Sequence, residues 1–312
     1  MTPIQITNID AASLARMIGS GEVSSVEIVH RFLEMIEERE RLVGAWEFID
    51  PEYALYQAEQ ADKSRAEGLS LGPLHGIPVG VKDIFDTFDM PTENGTVLHR
   101  GRRPSSDSFV VSLLRGAGAV ILGKTVTAEL AYYTPGKTAN PHNPAHTPGG
   151  SSSGSAAAVA SGMVPLAVGT QTNGSVIRPA SFCGVVGFKP THGTISRSGV
   201  LHQSWHLDQV GVFANSIEDA ALAADVLMMF DPADRSMRPF AKANLLDFLS
   251  SGPSRDKIAF VRTPVWNNAE QWMMEEFEIL ARKLENTEEV ELPKSFDEAV
   301  EMHKTIMEAD FA

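Results

Sequence analysis

A single cysteine, Cys183, stands in a chain of 312 residues. It cannot close an internal disulfide and leaves no cysteine-rich metal site, a usage that suits a reducing compartment. Basic charge is also scarce, with 26 Lys and Arg against 40 Asp and Glu and a formal charge of −14. A chain of that sign repels phosphate backbones and anionic lipid, so binding to either needs a local basic patch. The densest basic stretch, Arg100 to Arg103, is only four residues long, and neither a direct nucleic-acid partner nor a membrane is expected. No apolar run approaches the length of a membrane span. Residues 1–10 lack the basic, apolar and small-residue order of a secretion signal, and the expected location is cytoplasmic. What is present is ordinary for a globular chain: 43% apolar residues and 25 glycines. That composition excludes a disordered chain, a collagen and a disulfide scaffold.

The length allows one large domain or two ordinary ones. Asp10 can cap a short helix ending near Gly19, and Ser24 with Glu27 forms a capping box for a second helix to about Arg41. A strand is expected over 42–49, then a helix over 51–67 with Pro51 in its first turn. Further strands are expected over 78–83, 119–122, 164–168 and 185–188, and helices over 109–115 and 155–162. The last of these is built almost wholly of small side chains, which lets it approach a sheet closely and places it centrally. Residues 134–155 carry four prolines with Gly, Asn and Ser, which is loop chemistry. Ser216 and Asp219 start a helix to about Phe230. The tail repeats the alternation, with strands over 258–262 and 289–292 and helices over 268–284 and 295–312. No repeat and no long linker interrupts this order, so one α/β domain over residues 1–312 is the reading. The last helix lacks a C-terminal cap, which suggests a domain cut short at its C-terminus.

Several motifs compete for the chemistry. Gly118 to Thr125 fits the phosphate-loop pattern letter for letter, but its variable positions, Ala119-Val120-Ile121-Leu122, favour a strand over a flexible loop. Gly150-Ser151-Ser152-Ser153-Gly154 fits the nucleophile elbow centred on Ser152, yet three prolines before it exclude the required strand. His142 with His146, and His202 with His206, have metal-like spacing without a nearby carboxylate set, so loop or pocket-wall histidines are the simpler account. Cys183 reads as a small core residue. The twelve methionines read as helix core.

Three pieces say more together. Lys82 ends an apolar strand, Gly149-Gly150-Ser151-Ser152-Ser153-Gly154-Ser155 opens the small-residue helix, and Gly169-Thr170-Gln171-Thr172-Asn173-Gly174-Ser175 forms a second tight loop. Ser175 lies 24 residues after Ser151. The combination resembles the amidase signature family, the Ser–Ser–Lys amide hydrolases. Leu74-His75-Gly76-Ile77-Pro78-Val79, Gly123-Lys124-Thr125 with Glu129, the run from Phe182 to Thr191 and Leu207-Asp208-Gln209-Val210-Gly211 extend the resemblance in family order from about residue 74 to 211.

The resemblance implies an α/β fold with a mixed β-sheet core covered by helices on both faces. It implies Ser175 as nucleophile, Ser151 as bridging serine after a cis Gly150–Ser151 peptide, and Lys82 as base. It also implies an oxyanion hole built from the backbone N–H groups of Thr172, Asn173, Gly174 and Ser175. The physics fits the transfer. A serine hydroxyl is inert until a neighbour takes its proton, and lysine can do so only when uncharged. Moving its pKa from about 10.4 to about 7.5 costs roughly 4 kcal/mol, which burial without a carboxylate partner can supply. Asp83 would oppose that shift, so strand alternation should turn it to the other face. The implied reaction acylates Ser175, releases an amine or ammonia, hydrolyses the ester, and needs no cofactor and no metal.

The chain also departs from the family pattern. Gln171 stands where Asp is usual, Asn173 where Gly is usual, and Ser153 where Gly is frequent. Ile177 occupies the usual Arg position, with Arg178 one place later, so the roles of Gln171 and Arg178 stay open. The preferred reading is a stand-alone amidase acting on a small amide or urea-like compound, with His202, Trp205 and His206 as candidate pocket residues. The alternatives are the glutamine-hydrolysing A subunit of a tRNA-dependent amidotransferase, a silent subunit of the same fold, or a nucleotide binder. A homodimer or amidotransferase-like partner subunits are compatible with the family. The acyl group and the leaving amine are not legible.

Overall fold

In a computed structural model, which describes residues 9–242, 244–252 and 256–312, the first helices start on the polar residues expected to cap them. Asp10 accepts from the Ser13 amide at the head of α1 (Ala11–Ser20), and Ser24 and Glu27 close the capping box of α2 (Ser25–Val43). Gly44 ends α2 in the left-handed region at φ 62°. The helix therefore outruns its expected end, and β1 (Trp46–Ile49) starts later than the apolar run suggested. Asp50 and Pro51 then start α3 (Pro51–Ala66).

The sheet is assembled from β1, β2 (Pro78–Lys82), β3 (Val120–Thr125), β4 (Leu166–Gln171), β5 (Val186–Phe188) and β6 (Gln209–Ala214), in the spatial order β1–β3–β2–β4–β6–β5. β2 runs parallel to β3 and β4, while the β1–β3, β4–β6 and β5–β6 pairs are antiparallel. The sheet is thus mixed and covered by helices, the architecture the resemblance implied. Every residue of β2 and β3 is buried, as expected for central parallel strands covered on both faces. The three parallel strands deliver Thr125, Lys82 and Gln171 to one rim, the carboxyl end, where open α/β sheets place their ligands.

Helices α3 and α4 (Phe109–Gly116) pack on β3, and α7 (Ile217–Leu227) on β4, β5 and β6. Helix α5 (Ser153–Ala160) lies across β2, β3, β4 and β6, and its residues from Ser153 to Val159 are all buried. Its small side chains make this approach possible. A Cβ on Gly154 would come within 2.2 Å of the Ala45 carbonyl oxygen, and one on Gly169 within 2.6 Å of Ser152 Oγ.

Some expectations need correction. Residues 177–183 form α6 (Ile177–Cys183), a helix hidden by Pro179 and by the lack of an apolar stripe. β6 was not anticipated as a strand, and α7 stops at Leu227 rather than near Phe230. Methionine is helix core only in part, since Met35 and Met228 are buried while Met229 and Met302 are 43% and 56% exposed.

The chain divides into two compact units, Met1–Leu246 and Asp247–Ala312, the division falling within α8 (Leu245–Ser250). In the second unit, β7 (Ile258–Phe260) and β8 (Thr287–Glu289) pair in parallel through α9 (Gln271–Lys283), and α10 (Ala299–Phe311) follows. The tail strands are shorter than expected. The last helix starts at Ala299 because residues 294–296 form a 3₁₀ turn.

Candidate active site

Lys82 is the last residue of β2 and is fully buried. Its Nζ lies 2.8 Å from Ser151 Oγ and 3.1 Å from Thr170 Oγ1. Burial pushes its pKa down to about 7, against an opposing pull from the carboxylate of Asp208. The neighbouring Asp83 faces away, as strand alternation requires, and meets Lys124 at 3.4 Å. That second pair is also buried: burial raises Asp83 to about 6 and lowers Lys124 to about 8, each pulled back by the other's charge. Lys82 therefore sits among hydroxyls, with no carboxylate of the described residues in contact. An uncharged amine there can donate to Thr170 and still present a lone pair to the Ser151 hydroxyl.

Several loops fix Ser151. The Gly150–Ser151 peptide is cis, and the Ser151 carbonyl accepts from the Ala128 amide at 3.0 Å. Ser152 is fully buried; its Oγ donates to the Thr170 carbonyl at 3.2 Å and accepts from the Thr170 amide at 3.3 Å. It is a latch between α5 and β4, and the nucleophile-elbow reading centred on it fails. Ser155 completes the attachment, bonding Thr125 Oγ1 at 2.7 Å and the Val168 carbonyl at 3.0 Å.

Ser175 is buried at the end of the turn that leaves β4. Its hydroxyl makes no hydrogen bond to Ser151 or to any other described residue. Among the described residues, the amides of Asn173, Gly174 and Ser175 also find no acceptor. Consecutive unpaired amides beside a serine form a ready donor set for a developing oxyanion. Asn173 has no positive φ, so the side chain in the usual glycine place brings no backbone strain. Gln171 has a definite role: its Oε1 accepts from the amides of Val176 and Ile177, both at 3.0 Å. It caps the start of α6 as a neutral acceptor. Arg178 Nε and Nη2 donate to the Gly150 carbonyl at 3.1 and 2.8 Å, which ties the Ser151 loop to the helix that follows Ser175.

Three further residues around this turn carry no role in the motifs themselves. Thr170 contacts Lys82; strand alternation from Thr172 places it on the same face, a signal available in the sequence. Asp208 and Gln203 come from the segment before β6, and nothing local in sequence pairs them with Thr172. The Thr172 hydroxyl lies 2.5 Å from Asp208 Oδ1 and 2.7 Å from Gln203 Oε1. With one proton to give, it donates to the charged carboxylate.

The same segment carries the candidate pocket residues. His202 is half-buried and stacks on the exposed Trp205, with ring centroids 4.1 Å apart. Burial and then the charge of Arg197 hold His202 below its ordinary pKa. His206 is exposed.

The remaining motifs resolve into structure. The Lys124 of the phosphate-loop pattern is a buried residue of β3, bonded to Thr92 Oγ1 at 2.6 Å and the Phe85 carbonyl at 2.8 Å, so no phosphate loop exists there. His142 bonds the Cys183 carbonyl at 2.8 Å. Cys183 is buried, its thiol pushed up to about 12 by burial, so it is core and not a nucleophile. Among the described residues no group of three or more His, Cys, Asp or Glu could hold a metal, and no helix is long and apolar enough to cross a membrane.

Comparison with known proteins gives a consistent result. A family model described as Amidase matches residues 27–312. The A subunit of glutamyl-tRNA(Gln) amidotransferase from Natranaerobius thermophilus is 42% identical over 241 residues, which are 75% of this chain and 49% of that protein. The chain thus spans about half the length of the curated relatives it matches. Among solved structures, native peptide amidase from Stenotrophomonas maltophilia has a TM-score of 0.89 at 32% identity, over 99% of this chain and 67% of that one. A chain from a vestigial protein complex that bears on the origins of an s-triazine catabolic enzyme has a TM-score of 0.90 at 32% identity, over 97% and 67%.

Proposed function

Since the chain belongs to the Amidase family, we propose that it hydrolyses a small amide or urea-like compound through a covalent acyl-serine on Ser175. The observation that carries this reading is the buried amine of Lys82, 2.8 Å from Ser151 Oγ and with a pKa near 7. Neutral Lys82 accepts the proton of Ser151, and Ser151 takes that of Ser175 as its oxygen attacks the carbonyl carbon. The negative oxygen is met by the amides of the turn, Thr172 to Ser175. On collapse of the adduct the C–N bond breaks, and the proton returns through Ser151 to the leaving nitrogen. Water, activated along the same path, then releases the acid and restores Ser175.

In this reading His202, Trp205 and His206 line the substrate pocket; they lie on the segment whose Gln203 and Asp208 bond Thr172. A cytoplasmic setting belongs to the same reading. The family match runs across both compact units, which supports treating residues 1–312 as parts of one amidase domain.

A serine-directed fluorophosphonate tests the proposal. Labelling at Ser175, lost in Ser175→Ala and in Lys82→Ala, is expected; a folded wild-type chain that takes no label refutes it. The relatives that are A subunits of glutamyl-tRNA(Gln) amidotransferase, 38–42% identical, favour a second reading as a glutamine-hydrolysing component with partner subunits. Ammonia release from L-glutamine but not from simple amides would select that reading.

A further inference from the structure

The turn that ends at Ser175 is held by a carboxylate that the proposed proton relay does not use. Asp208 is buried, 5% exposed, just ahead of β6. Its Oδ1 lies 2.5 Å from the Thr172 hydroxyl, and its Oδ2 accepts from the amides of Gln203 and Ser204 at 2.7 and 3.0 Å. Antiparallel pairing of Gln171 with Gln209 brings this residue beside the end of β4. Thr170, which touches Lys82, and Thr172, which touches Asp208, lie two residues apart along that strand.

The other charged groups near Lys82 are turned elsewhere. Asp83 and Lys124 pair with each other on the opposite side of the strands. Helix α5 and strand β4 contribute no charged side chain, and the guanidinium of Arg178 is engaged on the Gly150 carbonyl. Among the described residues, Asp208 is the one charge that acts on Lys82 from the surrounding elements.

We propose that Asp208 is a positioning residue of this site: it anchors Thr172, and with it the amide turn before Ser175, and supplies the counter-charge to the Lys82 ammonium formed during acylation. The inference rests on the hydrolase reading. A neutral residue at 208 would leave the cation formed at Lys82 with hydroxyl dipoles alone, so the amine would hold its proton less well. Thr172 would also lose its charged acceptor.

The test follows the rate of fluorophosphonate labelling at Ser175 against pH, with the fold checked by far-UV circular dichroism. Asp208→Asn is expected to move the acid limb of the profile down by about half a pH unit or more, because the Coulomb attraction is gone. Thr172→Val keeps that charge and is expected to slow labelling roughly tenfold with the limb unmoved, as a disordered donor turn would. A folded Asp208→Asn with the wild-type limb overturns the counter-charge role, and Thr172→Val at the full rate overturns the anchoring. If Asp208→Asn does not fold, Thr172→Val decides the anchoring, and the salt dependence of the wild-type limb decides the counter-charge: a limb that moves down as added salt screens the attraction supports it, and a limb that does not move counts against it. A wild-type protein that takes no label refutes the hydrolase reading and this inference with it; a labelled wild type with unresponsive variants refutes this inference alone.

Discussion

Replacing Lys82 by methionine should alter stability in a manner whose pH dependence follows from burial. Lys82 is lowered from 10.5 to about 7 in the fold, chiefly because the charged form is desolvated. In the unfolded chain it keeps an ordinary lysine pKa of about 10.4. Between pH 7 and 10.5 the unfolded state therefore binds a proton that the folded state has released, and the wild type becomes more stable as pH rises. The slope approaches 1.4 kcal/mol per pH unit, and integration from pH 7 to 9 gives about 2 kcal/mol. Below pH 7 both states are protonated and the difference levels off at its least favourable value for the wild type. Methionine carries no proton, so the stability difference between wild type and Lys82→Met isolates this group and cancels Lys124 and all other shared residues. Urea unfolding of both proteins at pH 6, 7, 8 and 9 measures it. A difference that does not change with pH would refute the reasoning, since Lys82 would then titrate alike in both states. The chemistry depends on the same number. At an ordinary lysine pKa only about one molecule in 2,500 has a free amine at pH 7, and labelling of Ser175 should fall tenfold per unit below that pH.

Three other perturbations have definite outcomes. Gln171→Leu removes the acceptor for two amides at the head of α6, and a loss of about 1 kcal/mol is expected in urea unfolding, the usual worth of a helix cap. Asp83→Asn strands a buried lysine; it should destabilise by about 3 kcal/mol while leaving the acid limb of Ser175 labelling in place, and a moved limb would mean that Asp83 acts on Lys82. Trp205→Ala and His202→Ala each remove one partner of the ring stack; kcat/KM across a panel of amides should change its ranking, and an unchanged ranking discards the proposed pocket assignment.

The fold was legible where one residue type has one local meaning. Ser24 with Glu27, Asp10 and Pro51 announce helix starts through their own hydrogen bonds or ring geometry, and all three stand where expected. The small-residue run at 153–160 likewise announces a helix that must touch a sheet closely. Legibility failed where tertiary context sets the outcome. α6 contains Pro179 at a helical position and lacks an amphipathic stripe, so its seven residues depend on the Gln171 cap and on packing against α5. β6 alternates too little to distinguish it from the loop before it, because both of its faces are buried.

The site divides along the same line. Lys82, Ser151 and Ser175 could be named as candidates because each closes or opens a recognisable motif, and the contact between Lys82 and Thr170 follows from adjacent parallel strands ending at one rim. Thr170 and Gln171 could have been assigned from alternation, since side chains at 170 and 172 share a face and that at 171 points to the other. Asp208 could not, because its partner is set by the antiparallel register of β4 and β6, a property of the folded sheet. This separation also accounts for the tolerance of a neutral Gln171 where the family usually has a carboxylate. The amides of Val176 and Ile177 require an oxygen acceptor, which an amide side chain provides without charge. A carboxylate at 171 would also place a second negative charge at the end of β4, close to the amides that would bind an oxyanion. With Gln at 171, the carboxylate bonded to this turn is that of Asp208, which Thr172 and two backbone amides hold in a single orientation.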